Sequence, residues 1–222
     1  MLKLLPANIS NLIAAGEVVG RPASVVKELM ENAIDAGANT IQLIVTDAGR
    51  TLIQVIDNGY GMSPADAELC FERHATSKID SAEDLEYIST YGFRGEALAS
   101  ISAVAHVTLK TRQADSEVGW QVEVSESRII SSHEASSPIG SNFEVRNLFY
   151  NVPARRKFIK SDNTELRHII QEFIRVAVIR PELRFKMLSN GKVLYDLRPA
   201  DNTKQRIHDL FGRELINSLV EI

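Results

Sequence analysis

Three stretches carry residues whose types and spacing could do chemistry. Glu28 and Asn32 stand four apart, and Asp57 opens the run Asp57-Asn58-Gly59-Tyr60-Gly61-Met62. Residues four apart on a helix share a face about a turn from each other, so a carboxylate and a carboxamide project together; Glu31 and Asp35 form a second such pair. An acid at the end of a strand, followed by glycines, puts a carboxylate at a mouth where the backbone can approach a flat ligand. The third stretch, Tyr91-Gly92-Phe93-Arg94-Gly95-Glu96-Ala97-Leu98, runs into ALASISAVA. A glycine-flanked helix start offers unpaired N–H groups and a positive dipole end, the chemistry that holds phosphate. Each stretch has a plainer reading: a solvated helix side, an ordinary turn, a simple helix start.

The elements that must position them are legible nearby. Pro22 suits the first position of a helix and Gly37 its end. Between them Val25, Val26, Leu29, Met30, Ala33 and Ile34 form one apolar stripe that must face a core, with Glu28, Asn32 and Asp35 beside it. IQLIVT (41–46) and LIQVID (52–57) read as strands joined by the turn DAGR. HVTLKTR (106–112), VGWQVEVS (118–125), SRIISSH (127–133) and NFEVRN (142–147) read as a meander. A helix to Ile179 follows, started by Asp162-Asn163-Thr164-Glu165 and facing inward through Leu166, Ile169, Ile170, Phe173, Ile174 and Ala177. ELRFKMLS and KVLYDL flank Asn190-Gly191, a dipeptide suited to two positive φ angles in a tight hairpin. Thr203 caps a last helix that Gly212 stops.

The glycines do not make a dinucleotide fingerprint. The third glycine is missing, and the acid precedes the glycines instead of following about 20 residues later. No GxxxxGK[ST] run exists, which excludes a P-loop.

In this order, ExxxN on a helix, DxGxG after a strand and GFRGEAL opening a helix resemble the GHKL ATPase superfamily. IAAGEVV (13–19), RPASVVKELMENAIDAGA (21–38), DNGYGM (57–62), RHATSKI (73–79), GFRGEALASI (92–101) and NLFYNVPARRKF (147–158) narrow the resemblance to the MutL family of DNA mismatch repair proteins, over about residues 4 to 215. It implies an α+β, Bergerat-type sandwich with a mixed, largely antiparallel sheet and helices on one face. It implies Mg-ATP binding and hydrolysis, with ATP closing a homodimeric clamp that couples a mismatch recognition protein to downstream repair factors on DNA.

Carried over position by position, the resemblance makes Glu28 the general base for the attacking water and Asn32 the Mg²⁺ ligand. Both roles suit the groups: a carboxylate can take a proton, and a carboxamide oxygen suits a hard cation. Asp57 would accept from the adenine amine. Gly59 and Gly61 would let the chain close over base and ribose, and Met62 would line the base pocket. The stretch from about Ala75 to Gly95 resembles the family's ATP lid, with Thr76, Ser77, Lys78, Gly92, Phe93, Arg94, Gly95 and Leu98 near the phosphates. Where the family shows Gly-Thr, this chain has Gly140-Ser141, which keeps the hydroxyl and loses a methyl. The family's γ-phosphate lysine belongs to a second domain. The resemblance therefore places an ATP-binding domain at 1–200, the start of a second domain at 201–222, and weak or absent turnover by these residues alone. Residues 7–17 would contribute to the nucleotide-dependent dimer contact.

Composition sets the bounds. The 222 residues are 44% hydrophobic, enough for a buried core, and the formal net charge of −4 gives no global pull toward nucleic acid. No apolar run approaches a membrane span and no secretory leader opens the chain, so a cytoplasmic setting is expected. A single cysteine, Cys70, excludes an internal disulfide and reads as a small buried hydrophobe. Ser63-Pro64-Ala65-Asp66 starts its helix. His74 reads as hydrogen-bonded structure, and the scattered histidines predict no zinc site. Trp120 reads as sheet packing. Arg155, Arg156, Lys157 and Lys160 form the one dense positive cluster; at a helix start they oppose the dipole, so a role outside the helix, in DNA contact or loop positioning, stands beside plain solvation. Two rival functions are a histidine-kinase-type phosphotransferase, disfavoured because no phosphoacceptor helix precedes the domain, and a nucleotide-independent DNA-binding module built on that cluster.

Overall fold

The computed structural model describes residues 12, 15–78, 90–92 and 95–212. Phe93, Arg94, most of the lid stretch, most of residues 7–14 and the last ten residues lie outside the described residues.

Helix α1 spans Pro22–Asp35, with proline in its first turn and Arg21 as an extended N-cap. It closes in a Schellman arrangement: the Ala38 N–H donates to Ala33 O at 3.1 Å and Gly37 N–H to Ile34 O at 2.9 Å. Gly37 supplies the positive φ of 69° that this ending requires. All six stripe residues are buried, joined by Pro22 and Ala23.

The strands are β1 (Thr40–Thr46), β2 (Leu52–Asp57), β3 (His106–Arg112), β4 (Gly119–Ser125), β5 (Arg128–Ala135), β6 (Gly140–Arg146), β7 (Arg184–Ser189) and β8 (Lys192–Leu197). They form one eight-stranded sheet in the order β5-β4-β3-β6-β2-β1-β7-β8. Every pairing is antiparallel except β1 with β7. The meander order is interrupted, since β6 inserts between β3 and β2. Asn190 and Gly191 turn the β7–β8 hairpin with φ of 48° and 76°.

Burial alternates along β1, β2, β3 and β7, so one sheet face is covered and the other is half-exposed. On the covered face α1 packs beside α5 (Asp162–Ile179). Further helices are α2 (Pro64–Leu69), α3 (Ala97–Val104), α4 (Pro153–Phe158) and α6 (Thr203–Phe211), and a short 3-10 turn, Asp47–Gly49, joins β1 to β2. Ser63 caps α2 by accepting from the Asp66 N–H at 3.1 Å. In α5 the inward stripe includes Glu165 and Val176, while Leu166, Ile170 and Ile174 are only partly buried. Glu165 is buried because it accepts from the Lys160 N–H at 3.0 Å, closing the chain's entry into the helix.

Helix α6 is capped not by Thr203, its first residue, but by Asn202, whose side chain accepts from the Gln205 N–H at 2.9 Å, and it is pinned by Arg206, fully buried beneath it. Its guanidinium donates to the carbonyls of Pro181 and Leu183 and lies 5.7 Å from the Phe185 ring centroid.

The basic cluster sits differently from the sequence expectation. Helix α4 has only six residues, so Arg155, Arg156 and Lys157 occupy its last turn, where positive charge favours the dipole. Arg155 is turned inward: Nη2 donates to Leu12 O at 3.4 Å and fills the space beside Gly16, where a Cβ would meet it at 1.5 Å. Arg156, Lys157 and Lys160 remain exposed.

Candidate active site

The register places three polar residues in one row on the covered face. Asp57 on β2 pairs with Ser141 on β6, which pairs with Thr111 on β3. All three are buried, Thr111 completely. Such residues must be hydrogen-bonded or directed at a ligand.

The bonds account for most of this row. Asp57 Oδ1 accepts from the Gly59 N–H at 2.8 Å and the Ser141 N–H at 3.3 Å. Oδ2 receives no hydrogen bond among the described residues, and Asp57 lines a cavity of about 890 Å³. Burial pushes the Asp57 carboxyl up from 3.8 to about 6, against the opposing pull of the two backbone donors. Thr111 Oγ1 accepts from the Met62 N–H at 2.9 Å and donates to Gly140 O at 2.9 Å. The Ser141 hydroxyl, 3.1 Å away, then donates to Thr111 and keeps its lone pairs for the cavity. Thr111 had no local sequence signal, because a threonine in a strand is ordinary and only the pairing of β3 with β6 brings it to the glycine loop.

Gly59 and Gly61 are required by the protein's own packing. A Cβ on Gly59 would lie 2.5 Å from Ala36 O, and one on Gly61, at φ 70°, 2.1 Å from Arg112 O. Gly61→Ala is therefore expected to strain the backbone and push β3 away, costing roughly 2 kcal/mol or more. A drop of at least several degrees in melting temperature, measured by circular dichroism, is the expected result.

The cavity gathers the three candidate stretches. Glu28 and Asn32 from α1, Asp57, Gly61, Met62, Thr76, Ser77, Lys78, Gly92, Gly95, Leu98 and Ser141 all line it; Gly59, also expected at the site, does not. Its size is that of a small-molecule pocket. Helix α3 enters it through Glu96, Ala97 and Leu98; its N-cap Glu96 makes no side-chain capping bond, so the first-turn donors stay available. Glu28 is partly exposed, with Lys27 Nζ 3.7 Å from its Oε1. Lys27 bonds more closely to Glu31, at 3.0 Å. Asn32 Oδ1 accepts from Lys78 Nζ at 3.1 Å, and Lys78 also meets Asp35 Oδ2 at 2.6 Å. Asp35 and Glu31 both line the cavity, as their four-residue spacing implies.

Cys70 also lines the cavity, its thiol held against Ala67 O at 3.3 Å and pushed by burial up to about 12. Such a thiol is no nucleophile. Trp120 donates to Ser132 Oγ at 2.7 Å and packs on the core. The His74 ring is exposed, 3.6 Å from Glu96 Oε1; its hydrogen-bonded part is the backbone, which donates to Gly95 O at 3.0 Å. No helix among the described residues is long and apolar enough to cross a membrane.

Known proteins resemble this chain in sequence and fold. The family described as histidine kinase-, DNA gyrase B-, and HSP90-like ATPase matches residues 21–147. The DNA mismatch repair protein MutL of Flavobacterium psychrophilum is 56% identical over the whole of this chain, which spans 36% of that protein's length. The MutL of Bacteroides fragilis is 54% identical, with 35% of its length spanned. Among solved structures, the Aquifex aeolicus MutL ATPase domain complexed with ADP superposes with a TM-score of 0.72 and 32% identity, over 87% of this chain and 70% of that one. With the family matched over more than half of its residues and a MutL ATPase domain aligned over most of both chains, this chain belongs to the histidine kinase-, DNA gyrase B- and HSP90-like ATPase family, in its MutL branch.

Proposed function

We propose that this chain binds Mg-ATP in the cavity bounded by α1, the Asp57 loop and the start of α3, and hydrolyses it to drive a step in DNA mismatch repair. The observation that carries the reading is Asp57, a buried carboxylate in the cavity lining with one oxygen held by two backbone donors and the other without a hydrogen bond among the described residues. That free oxygen suits the exocyclic amine of adenine, which guanine lacks at the same edge. The Ser141 hydroxyl, Met62 and the close glycine backbone complete a slot for a flat base.

Phosphates would lie toward Asn32, Lys78, Gly92, Gly95 and the open N-terminus of α3, where a cation and unpaired N–H groups offset their charge. Thr76 and Ser77 line the same end, and Phe93 and Arg94 are assigned there on the family resemblance alone. The donor set fits Mg²⁺ of the kind that takes one protein oxygen, phosphate oxygens and water: Asn32 Oδ1 would hold it, and the ion would neutralise charge on the phosphates. Glu28, one turn before Asn32, would orient the attacking water and take its proton. Hydrolysis transfers the phosphoryl group to water, so no residue of this chain is phosphorylated.

Because the chain spans about a third of its MutL relatives, the larger activity is a proposal for the whole protein. ATP would close a homodimeric clamp, using residues 7–17, and couple a mismatch recognition protein to downstream factors. The exposed Arg156, Lys157 and Lys160 support weak DNA contact. Calorimetric titration of a non-hydrolysable ATP analogue with Mg²⁺ into this chain and its Asp57→Ala variant tests the site. Saturable binding lost in the variant is expected; equal binding by both would sink the assignment.

A further inference from the structure

Asp35 ends α1 with its side chain only 6% exposed, yet it carries no role in the mechanism above. Its two oxygens collect donors from both sides of the cavity's polar end. Oδ2 accepts from Lys78 Nζ at 2.6 Å and from the Gly92 N–H at 3.4 Å, and Oδ1 accepts from the Tyr91 N–H at 3.1 Å. Lys78 and Gly92 are far apart in sequence and both line the cavity. One buried carboxylate thus holds a cation and a turn of backbone to the same point on α1.

Lys78 is also shared. Its ammonium donates to Asn32 Oδ1 as well as to Asp35, while its side chain is only 18% exposed. A lysine is a flexible point charge whose free side chain carries substantial rotamer entropy. Two acceptors on one helix face, Asn32 and Asp35, remove that freedom before any ligand arrives.

We propose that Asp35 is a positioning residue: it presets Lys78 and the 91–92 backbone as the phosphate-facing wall of the site. The proposal rests on the nucleotide reading. Asp35 acts through Lys78 and Gly92 and does not touch the ligand. Because Lys78 also leans on Asn32 Oδ1, the oxygen proposed for the divalent ion, Asp35 keeps the ammonium in place when Asn32 turns to a cation. The contribution belongs to the phosphate end alone, since Asp57, Ser141 and Met62 form the base slot without any bond to Asp35.

The test compares wild-type chain, Asp35→Asn and Lys78→Gln. Binding of a non-hydrolysable ATP analogue with Mg²⁺ is measured by calorimetry, and binding of adenosine by chemical-shift titration. Losing a charge-assisted contact at the phosphate end is expected to weaken the analogue about tenfold or more in each variant, with adenosine changed less than about twofold. In nucleotide-free protein, amide exchange at Tyr91 and Gly92 is expected to quicken in Asp35→Asn and to stay unchanged at β2. A general structural role would weaken both ligands equally, which would overturn the proposal, as would analogue binding as tight as wild type. Wild-type protein that binds neither ligand would overturn the nucleotide reading itself, a result distinct from failure in the variants alone.

Discussion

Asp57→Asn is expected to make the ligand-free chain more stable while destroying its nucleotide affinity. The carboxyl titrates near 6 in the fold against 3.8 for an ordinary aspartate, because burial disfavours its charge. An acid whose proton affinity rises on folding binds more protons in the native state, so its contribution to stability is fullest below about pH 4 and is lost as pH rises toward 6. Above that it is flat, and at neutral pH the charge costs about 3 kcal/mol. Asparagine keeps an oxygen for the Gly59 and Ser141 N–H groups and carries no charge. A rise of roughly 5 °C or more in melting temperature at pH 7 is expected, shrinking toward zero near pH 4. The same exchange turns an NH₂ group toward the proposed adenine amine, setting donor against donor, so analogue affinity should fall roughly a hundredfold. In wild type, protonation should weaken binding as pH drops below about 6, by no more than about tenfold per pH unit. A variant that is less stable at pH 7 than wild type, or one that binds normally, would contradict this account.

Glu28→Gln should separate binding from chemistry. The side chain lines the cavity one turn before Asn32 and is engaged only loosely by Lys27, at 3.7 Å. Glutamine keeps its shape and polarity but cannot take a proton from water. In the whole protein, single-turnover hydrolysis of radiolabelled Mg-ATP should therefore slow by roughly two to four orders of magnitude, with analogue affinity changed less than about twofold. Glu31 is the competing carboxylate on the same helix. Burial raises its proton affinity, Lys27 opposes that, and the charges of Glu28 and Asp35 add to it. Its 3.0 Å bond to Lys27 makes it a structural partner, so Glu31→Gln should hydrolyse ATP at close to the wild-type rate. The reverse pattern would move the general base to Glu31.

Local elements were legible because their causes are local. The apolar stripe of α1 fixes which face is buried, Pro22 and Gly37 mark its ends, and Asn190-Gly191 carries the two positive φ angles of its hairpin. Strands β3, β7 and β8 fall where alternation and turn residues put them. The errors arose where direction depends on distant partners. The cluster after Pro153 looked like a helix start, yet the helix is one and a half turns long and Arg155 is spent on Leu12 and Gly16. Glu31 and Asp35 do share the cavity wall that their four-residue spacing implies, but the lysine that holds Asp35, Lys78, lies far along the chain.

By itself the sequence determined the chemical vocabulary of the protein: an acid and an amide one turn apart, an acid before close-set glycines, a glycine-flanked helix start, and no P-loop. Spacing along the chain suffices for that, since helix and strand periodicities decide which side chains share a face. Only the tertiary structure decided how these parts meet. Inserting β6 between β3 and β2 puts Thr111 and Ser141 beside Asp57 and leaves one oxygen of that carboxylate without a hydrogen bond among the described residues. Folding also brings Lys78, Tyr91 and Gly92 onto Asp35. Burial of the Asp57 and Asp35 carboxylates, which their local sequence does not specify, then makes these ordinary residues a desolvated site.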